Sequence, residues 1–309
     1  MDSSTLWIFL IGALVAGSCA LCGCFLILRR MAMLGDAISH AVLPGIALAF
    51  ILSGSRASWI MFIGATLVGL FSTFLIQTLS RGGRLRSEAA IGVTFTALFA
   101  VGVVLISRYA ANVDLDLDCV LYGVIEYTTL NMIEVGGRSF GPQAFWQVLA
   151  VFLLVLTSVC LFFKELKLTS FDPELAAAAG ISATAVHYGL MALVSLTTVA
   201  SFEPVGAILV LAMMVAPPAA AYLLCDDLGK MLVISLLIGV SSAFFGTITA
   251  EWLNVSTAGM MSVMTGVHFV LALLFSPKYG VLKRGQKSAL QAPDFRHEVE
   301  IAASATAPQ

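Results

Sequence analysis

Asp36 and His40 are the two residues whose types and spacing point most directly to chemistry; they lie four apart in Arg29-Arg-Met-Ala-Met-Leu-Gly-Asp-Ala-Ile-Ser-His-Ala-Val-Leu-Pro-Gly-Ile-Ala-Leu-Ala-Phe50. On a helix, residues at this spacing share a face with Cβ atoms about 5–6 Å apart. A carboxylate and an imidazole so placed form half of a divalent metal site. Imidazole suits Zn, Mn and Fe, and the carboxylate adds charge and tolerance for harder ions such as Mn(II). The competing reading is a hydrogen-bonded pair that only ties helices together. The ion reading is preferred because the surrounding run is apolar. An Asp inside a membrane costs at least about 2.5–3.5 kcal/mol on insertion scales, and such residues usually mark an ion or substrate path. Two ligands are too few for tight binding. The rest are expected from another helix, a symmetry mate or water, which suits a site that has to release its ion. Gly35, Ala37, Ser39, Ala41, Gly45 and Ala47 surround the pair and let another helix approach closely. Met31 and Met33 are read as packing residues, since manganese has little affinity for thioether.

The elements that must position this pair are membrane spans. The 309 residues are 60% hydrophobic and 11% charged, against about 45–50% and about 25% for a soluble domain. The formal net charge of -2 gives no support to a nucleic-acid partner. Nine segments come close to the roughly 20 apolar residues a span needs: about 6–28, 32–53, 57–79, 88–107, 144–163, 183–200, 205–224, 231–250 and 257–275. The expectation is an all-α polytopic membrane protein with eight to nine transmembrane helices. Pro44-Gly45 inside 32–53 and Pro217-Pro218 near the end of 205–224 mark the segments that could be broken or re-entrant. With the N-terminus outside, only Arg56, Arg108 and Arg138 among the 16 basic residues fall outside, a strong positive-inside bias. Trp7, Trp59, Trp146 and Trp252 then all lie at outer ends, as an interfacial aromatic belt would place them. The first run lacks a basic leader and a small-residue cleavage site, so it reads as a retained span. Counted at 1.5 Å per residue from Arg30, His40 is expected about 15 Å deep, near the midplane, with Asp36 closer to the inner surface.

Other residues carry weaker signals. Asp172-Pro173 is an N-cap and N1 signature, Glu174 favours the first turn, Leu175 follows, and Gly180 can close the helix. This short cytoplasmic helix is either a surface connector or a docking element for a soluble partner. Glu88, after Ser87, is a cap residue or a pathway residue; Glu203-Pro204 is a turn or an entrance; Pro217 could mark a gate. The external connection 108–143 holds Asp114, Asp116, Asp118, Glu126 and Glu134, which either raise the local cation concentration or are solvated surface charge. His268 reads as a satisfied core histidine. Cys19, Cys22, Cys24 and Cys160 lie in apolar runs and read as packing. Residues 1–284 are expected to form the transmembrane domain, and 285–309 a disordered cytoplasmic tail.

The run Arg30-Met-Ala-x-x-Gly-Asp-Ala-x-Ser-His-Ala-x-x-Pro-Gly45 resembles the permease family of metal-chelate-type ABC importers for manganese, zinc and iron. The resemblance continues through Ser87-Glu-Ala-Ala-Ile-Gly92, Val113-Asp-Leu-Asp116, Phe171-Asp-Pro-Glu-Leu-Ala-Ala-Ala-Ala-Gly180, Val205-Gly-Ala-Ile-Leu-Val210 with Pro217, and Pro277-Lys-Tyr-Gly280. It implies a type II ABC importer-like permease of the bacterial inner membrane, working as a homodimer with a cytoplasmic ATPase and an extracytoplasmic metal-binding protein. It also implies that Asp36 and His40 line the ion path and that the helix at 173–179 couples to the ATPase. Two departures stand out: Glu88 is often Asp in relatives, and Leu117-Asp-Cys119 differs from the usual aromatic or histidine-containing run. The chain lacks a G-x-x-x-x-G-K-[ST] phosphate loop, so ATP is left to a partner. The expected cargo is Mn(II) first, then Fe(II) or Zn(II), with no resident cofactor. The alternatives are a membrane-embedded metal-dependent hydrolase, disfavoured by the lack of H-E-x-x-H, and a siderophore or cobalamin permease.

Overall fold

The computed structural model describes residues 3–53, 58–81, 85–109, 125–130, 132–135 and 138–276; Asp114, Asp116, Asp118 and the segment 285–309 lie outside them. Helix α1 spans Ser3–Leu28, α2 Leu34–Ala41, α3 Leu43–Ser53, α4 Ser58–Arg81 and α5 Ser87–Tyr109. A 3-10 turn at Ile125–Leu130 precedes strands β1 (Met132–Val135) and β2 (Arg138–Pro142). Then follow α6 (Gln143–Leu161), α7 (Phe163–Phe171), α8 (Pro173–Ala178), α9 (Ala183–Leu224), α10 (Leu228–Leu253) and α11 (Thr257–Phe275). The two strands pair antiparallel, with Glu134 opposite Ser139 and Val135 opposite Arg138. Composition alone indicates only a connection there. Eight stretches among the described residues are long and apolar enough to cross a membrane, α2 and α3 together making one of them.

The 42-residue α9 holds two of the expected spans. Straight, it would run about 63 Å, twice the hydrocarbon thickness. It breaks instead at Gly206, whose φ of 75° and ψ of 167° are non-helical, a region essentially reserved for glycine. The two limbs lie side by side along α1. Cys22 Sγ is 3.8 Å from Thr197 Oγ1 on the first limb, and the adjacent Gly23 packs against the Met214 carbonyl and Pro218 on the second. Both free ends return to the same end of α1: His187 meets Arg29, and Tyr222 and Cys225 share a cavity with Leu28. Counted as two limbs, α9 brings the crossings to the nine segments expected from hydropathy.

Helix α1 is the hub, buried almost continuously from Ile11 to Leu26 and packed on α9, α10 and α6. At its other end Trp7 stacks edge-on against Phe145 at 5.1 Å, joining the starts of α1 and α6. The outer faces of α4, α5, α10 and α11 present Leu67, Val104, Val233 and Val270. Lipid is as apolar as these side chains, so helix contact relies on close packing of small residues. A Cβ on Gly45 would lie 2.5 Å from the Gly64 carbonyl oxygen, which shows how nearly the α3 and α4 backbones touch.

Candidate functional site

The site is built from the end of α1 onward. Arg30 has a left-handed φ of 57°. Arg30 N–H donates to the Ile27 carbonyl at 3.0 Å and Met31 N–H to that of Leu26 at 2.8 Å, the paired bonds of a Schellman closure. Residues 29–33 therefore form a turn rather than continuing a helix. Depth must be counted from Leu34, which places His40 about 9 Å along α2 instead of about 15 Å from Arg30. The pair thus sits in the first half of the Leu34–Ser53 span.

Helix α2 turns Leu34, Ala37, Ile38 and Ala41 into the protein and leaves Asp36 and His40 on the opposite face. His40 Nε2 lies 3.5 Å from Asp36 Oδ1, with the side chains 34% and 39% exposed, respectively. Pro44 has no N–H to offer, yet the rod continues: Val42 keeps helical angles, and Gly45 and Ile46 both donate to its carbonyl, at 2.9 and 3.1 Å. Phe95 and Phe99 of α5 wall the His40 ring, each with its centroid 5.9 Å away. Glu88 precedes them by seven and eleven residues, so it shares their face of α5, where it is exposed. A Cβ on Gly92, between Glu88 and Phe95, would meet nothing within 4 Å. The buried side of α2 is packed tightly, with Met214 Sδ 2.7 Å from where a Gly35 Cβ would sit.

Among the described residues, no group of three His, Cys, Asp or Glu side chains is arranged to hold an ion. The other sequence candidates lie apart. Glu203 stands exposed three residues before the Gly206 break, and Pro217 is buried in the second limb of α9. Glu126 has a local task, since its Oε1 accepts from Thr257 N–H at 2.9 Å at the start of α11. His268 is held by Ser241, Ser242 and the Met264 carbonyl. The five described cysteines are free thiols. Sequence reasoning missed the aromatic wall from α5, because ring contacts between distant helices leave no periodic trace.

The short helix α8 forms as its caps dictate. Asp172 Oδ1 accepts from Leu175 N–H at 2.9 Å and Pro173 takes the first helical position. Gly180, with φ 79°, closes α8 by bonds from Gly180 to Ala177 and from Ile181 to Ala176. Asp172, Pro173, Glu174, Leu175 and Gly180 are all exposed. Phe171 and Leu175 present 58% and 55% of their surface. The nine-residue α7 ahead of it was not expected, because Lys164, Glu165 and Lys167 interrupt its apolar pattern.

The chain is similar to known metal-transport membrane proteins. Over 280 residues it is 52% identical to the manganese transport system membrane protein MntD of Bacillus subtilis, covering 90% of this chain and 94% of that protein. It is 44% identical to the zinc transport system membrane protein TroD of Treponema pallidum, covering 91% of this chain and 76% of that protein. The solved structure of PsaBC from Streptococcus pneumoniae in complex with Fab superposes with a TM-score of 0.76 at 32% identity, covering 92% of this chain and 96% of that one. The ABC 3 transport family matches residues 1–276, and the chain belongs to that family.

Proposed function

We propose that this protein is the membrane-spanning permease subunit of a bacterial inner-membrane ABC importer. It moves a divalent transition-metal cation into the cytoplasm, Mn(II) first, with Zn(II) or Fe(II) next. Residues 1–284 form the transmembrane unit in this reading. The observation that carries it is the Asp36–His40 pair, half-exposed on a membrane-embedded helix with only two ligand atoms. Left against lipid, a charged side chain costs at least about 2.5–3.5 kcal/mol. A polar partner therefore covers this face: a second copy of the chain, presenting its own Asp36 and His40 across a dimer axis, with water completing the shell. The 3.5 Å separation suits a shared cation, because an ion about 2.1 Å from both atoms sees them about 110° apart. Glu88, on the α5 face that walls His40, extends the path toward the cytoplasm. Glu203 lies at the outer entrance, and Pro217 stiffens the limb behind α2.

Energy comes from a separate ATPase that docks on α8 through Leu175, Phe171 and Glu174, while Asp172, Pro173 and Gly180 keep that helix formed. An extracytoplasmic metal-binding protein delivers the ion to the opposite side. Manganese uptake by cells carrying Asp36→Ala or His40→Ala is the direct test. Well-expressed variants are expected to accumulate no more metal than cells without the permease, and wild-type accumulation would overturn the assignment.

A further inference from the structure

Three elements meet at one side chain outside the pair. The guanidinium of Arg29 donates through Nε to Ser170 Oγ at 3.1 Å, through Nη2 to Thr169 Oγ1 at 2.9 Å and through Nη1 to His187 Nδ1 at 3.3 Å. Ser170 and Thr169 lie in the last turn of α7, directly before α8, and His187 lies in the first limb of α9. The donor inventory is consistent. Both hydroxyls spend their own hydrogens on helix carbonyls, Thr169 on Glu165 at 2.8 Å and Ser170 on Leu166 at 2.6 Å. Their lone pairs are left to accept from a cation that has no acceptor of its own. For the same reason His187 Nδ1 is the acceptor of its hydrogen bond with Arg29 Nη1.

Arg29 is partly buried, and burial pulls its pKa below the ordinary value. Among the described residues no carboxylate lies within 4.0 Å of it. A partly buried cation held only by neutral acceptors has given up solvation for position. That position is joined rigidly to the metal-bearing helix. Beyond the Schellman closure, Leu34 N–H donates to Met31 at 3.0 Å and Ala37 N–H to Met33 at 3.1 Å, so the turn between α1 and α2 has little slack.

We propose that Arg29 is a positioning residue that makes the α7–α8 element and α2 move as one body, so that displacement of α8 reaches Asp36 and His40 through its three hydrogen bonds. The inference rests on the reading of α8 as the ATPase dock and of the Asp36–His40 pair as the metal path. A side chain that merely staples the fold would change stability or assembly. One that links two moving parts changes how much metal each ATP moves.

The test uses the full permease with its ATPase and metal-binding protein in proteoliposomes, with ATP hydrolysis and manganese uptake recorded together. Arg29→Ala is expected to keep ATPase association and hydrolysis while the metal moved per ATP falls by about 5- to 150-fold, the ordinary span of coupling between sites. Arg29→Lys keeps the cation but not the planar fork, and recovers part of that loss. Thr169→Val combined with Ser170→Ala removes two acceptors and leaves Arg29 in place, and it carries the same expectation should Arg29→Ala fail to assemble. An unchanged metal-to-ATP ratio in either assembled variant overturns the proposal. Two controls isolate the underlying reading: uptake retained in Asp36→Ala overturns the metal path, and association retained in Glu174→Lys overturns the dock.

Discussion

Gly45→Ala probes the packing that fixes the height of His40. The added Cβ would stand 2.5 Å from the Gly64 carbonyl oxygen, 2.9 Å from its carbonyl carbon and 3.0 Å from Ala65 Cα, where ordinary contact begins near 3.4 Å. All three neighbours are backbone, so no rotamer change relieves the overlap, and α3 must move from α4 by about 1 Å. Overpacking of this kind costs about 1–3 kcal/mol, offset by about 0.5–1 kcal/mol from replacing a helical glycine. Because the overlap is with backbone alone, the upper part of that range, about 2–3 kcal/mol, applies, and the net loss of about 1–2.5 kcal/mol corresponds to a melting temperature lower by about 2–10 °C. Gly266→Ala is the matched control: its Cβ would meet nothing within 4 Å, so only the small helix gain remains. The assay is a thermal melt of both purified variants in the same detergent, followed by manganese uptake. Because Gly45 lies five residues beyond His40 on the same rod, uptake is expected to fall for Gly45→Ala and not for Gly266→Ala. A Gly45→Ala melt equal to wild type, or an equal loss in Gly266→Ala, would refute the packing argument.

Gly206→Ala places a side chain at φ 75° and ψ 167° and is expected to lose about 1–3 kcal/mol of stability, read as a lower melting temperature; an unchanged melt would mean that the break does not depend on glycine. Cys225 sits outside the spans, and burial raises its thiol pKa, with Asp226 and Asp227 adding to the rise and Lys230 opposing it. Since the thiolate is the nucleophile, in a Cys119→Ser/Cys160→Ser background it should react with iodoacetamide more slowly than glutathione at mildly alkaline pH. The gap should narrow as pH rises, and a pH–rate midpoint at or below that of glutathione would contradict the assignment.

Much of the architecture was legible because a bilayer constrains sequence so severely. Every hydropathic segment found a helix, and the caps at Asp172 and Gly180 formed the bonds their residue types imply. What escaped notice were features without periodicity or distinctive composition. The expected spans 6–28 and 32–53 leave a connection of only 29–31, and its closure through the left-handed φ of Arg30 leaves no trace in the residues, since arginine does not announce such a conformation. The rise to His40 is therefore counted from Leu34 and not from Arg30. The break within α9 lies at Gly206, two residues after Pro204, but glycine alone does not say whether a helix kinks or folds back.

By itself the sequence determined the membrane class and singled out the one costly carboxylate–imidazole pair, and its basic residues set the expected orientation. These follow from local quantities: transfer free energy, the distribution of basic residues and the four-residue spacing of a helix. Only the tertiary structure decided which surfaces meet that pair. Phe95 and Phe99 come to His40 from α5, and Thr169, Ser170 and His187 come to Arg29 from α7 and α9. These partners are more than fifty residues away in the chain. Inside a bilayer, where apolar burial does not discriminate one helix face from another, their pairing depends on close packing and hydrogen bonding among small and polar side chains.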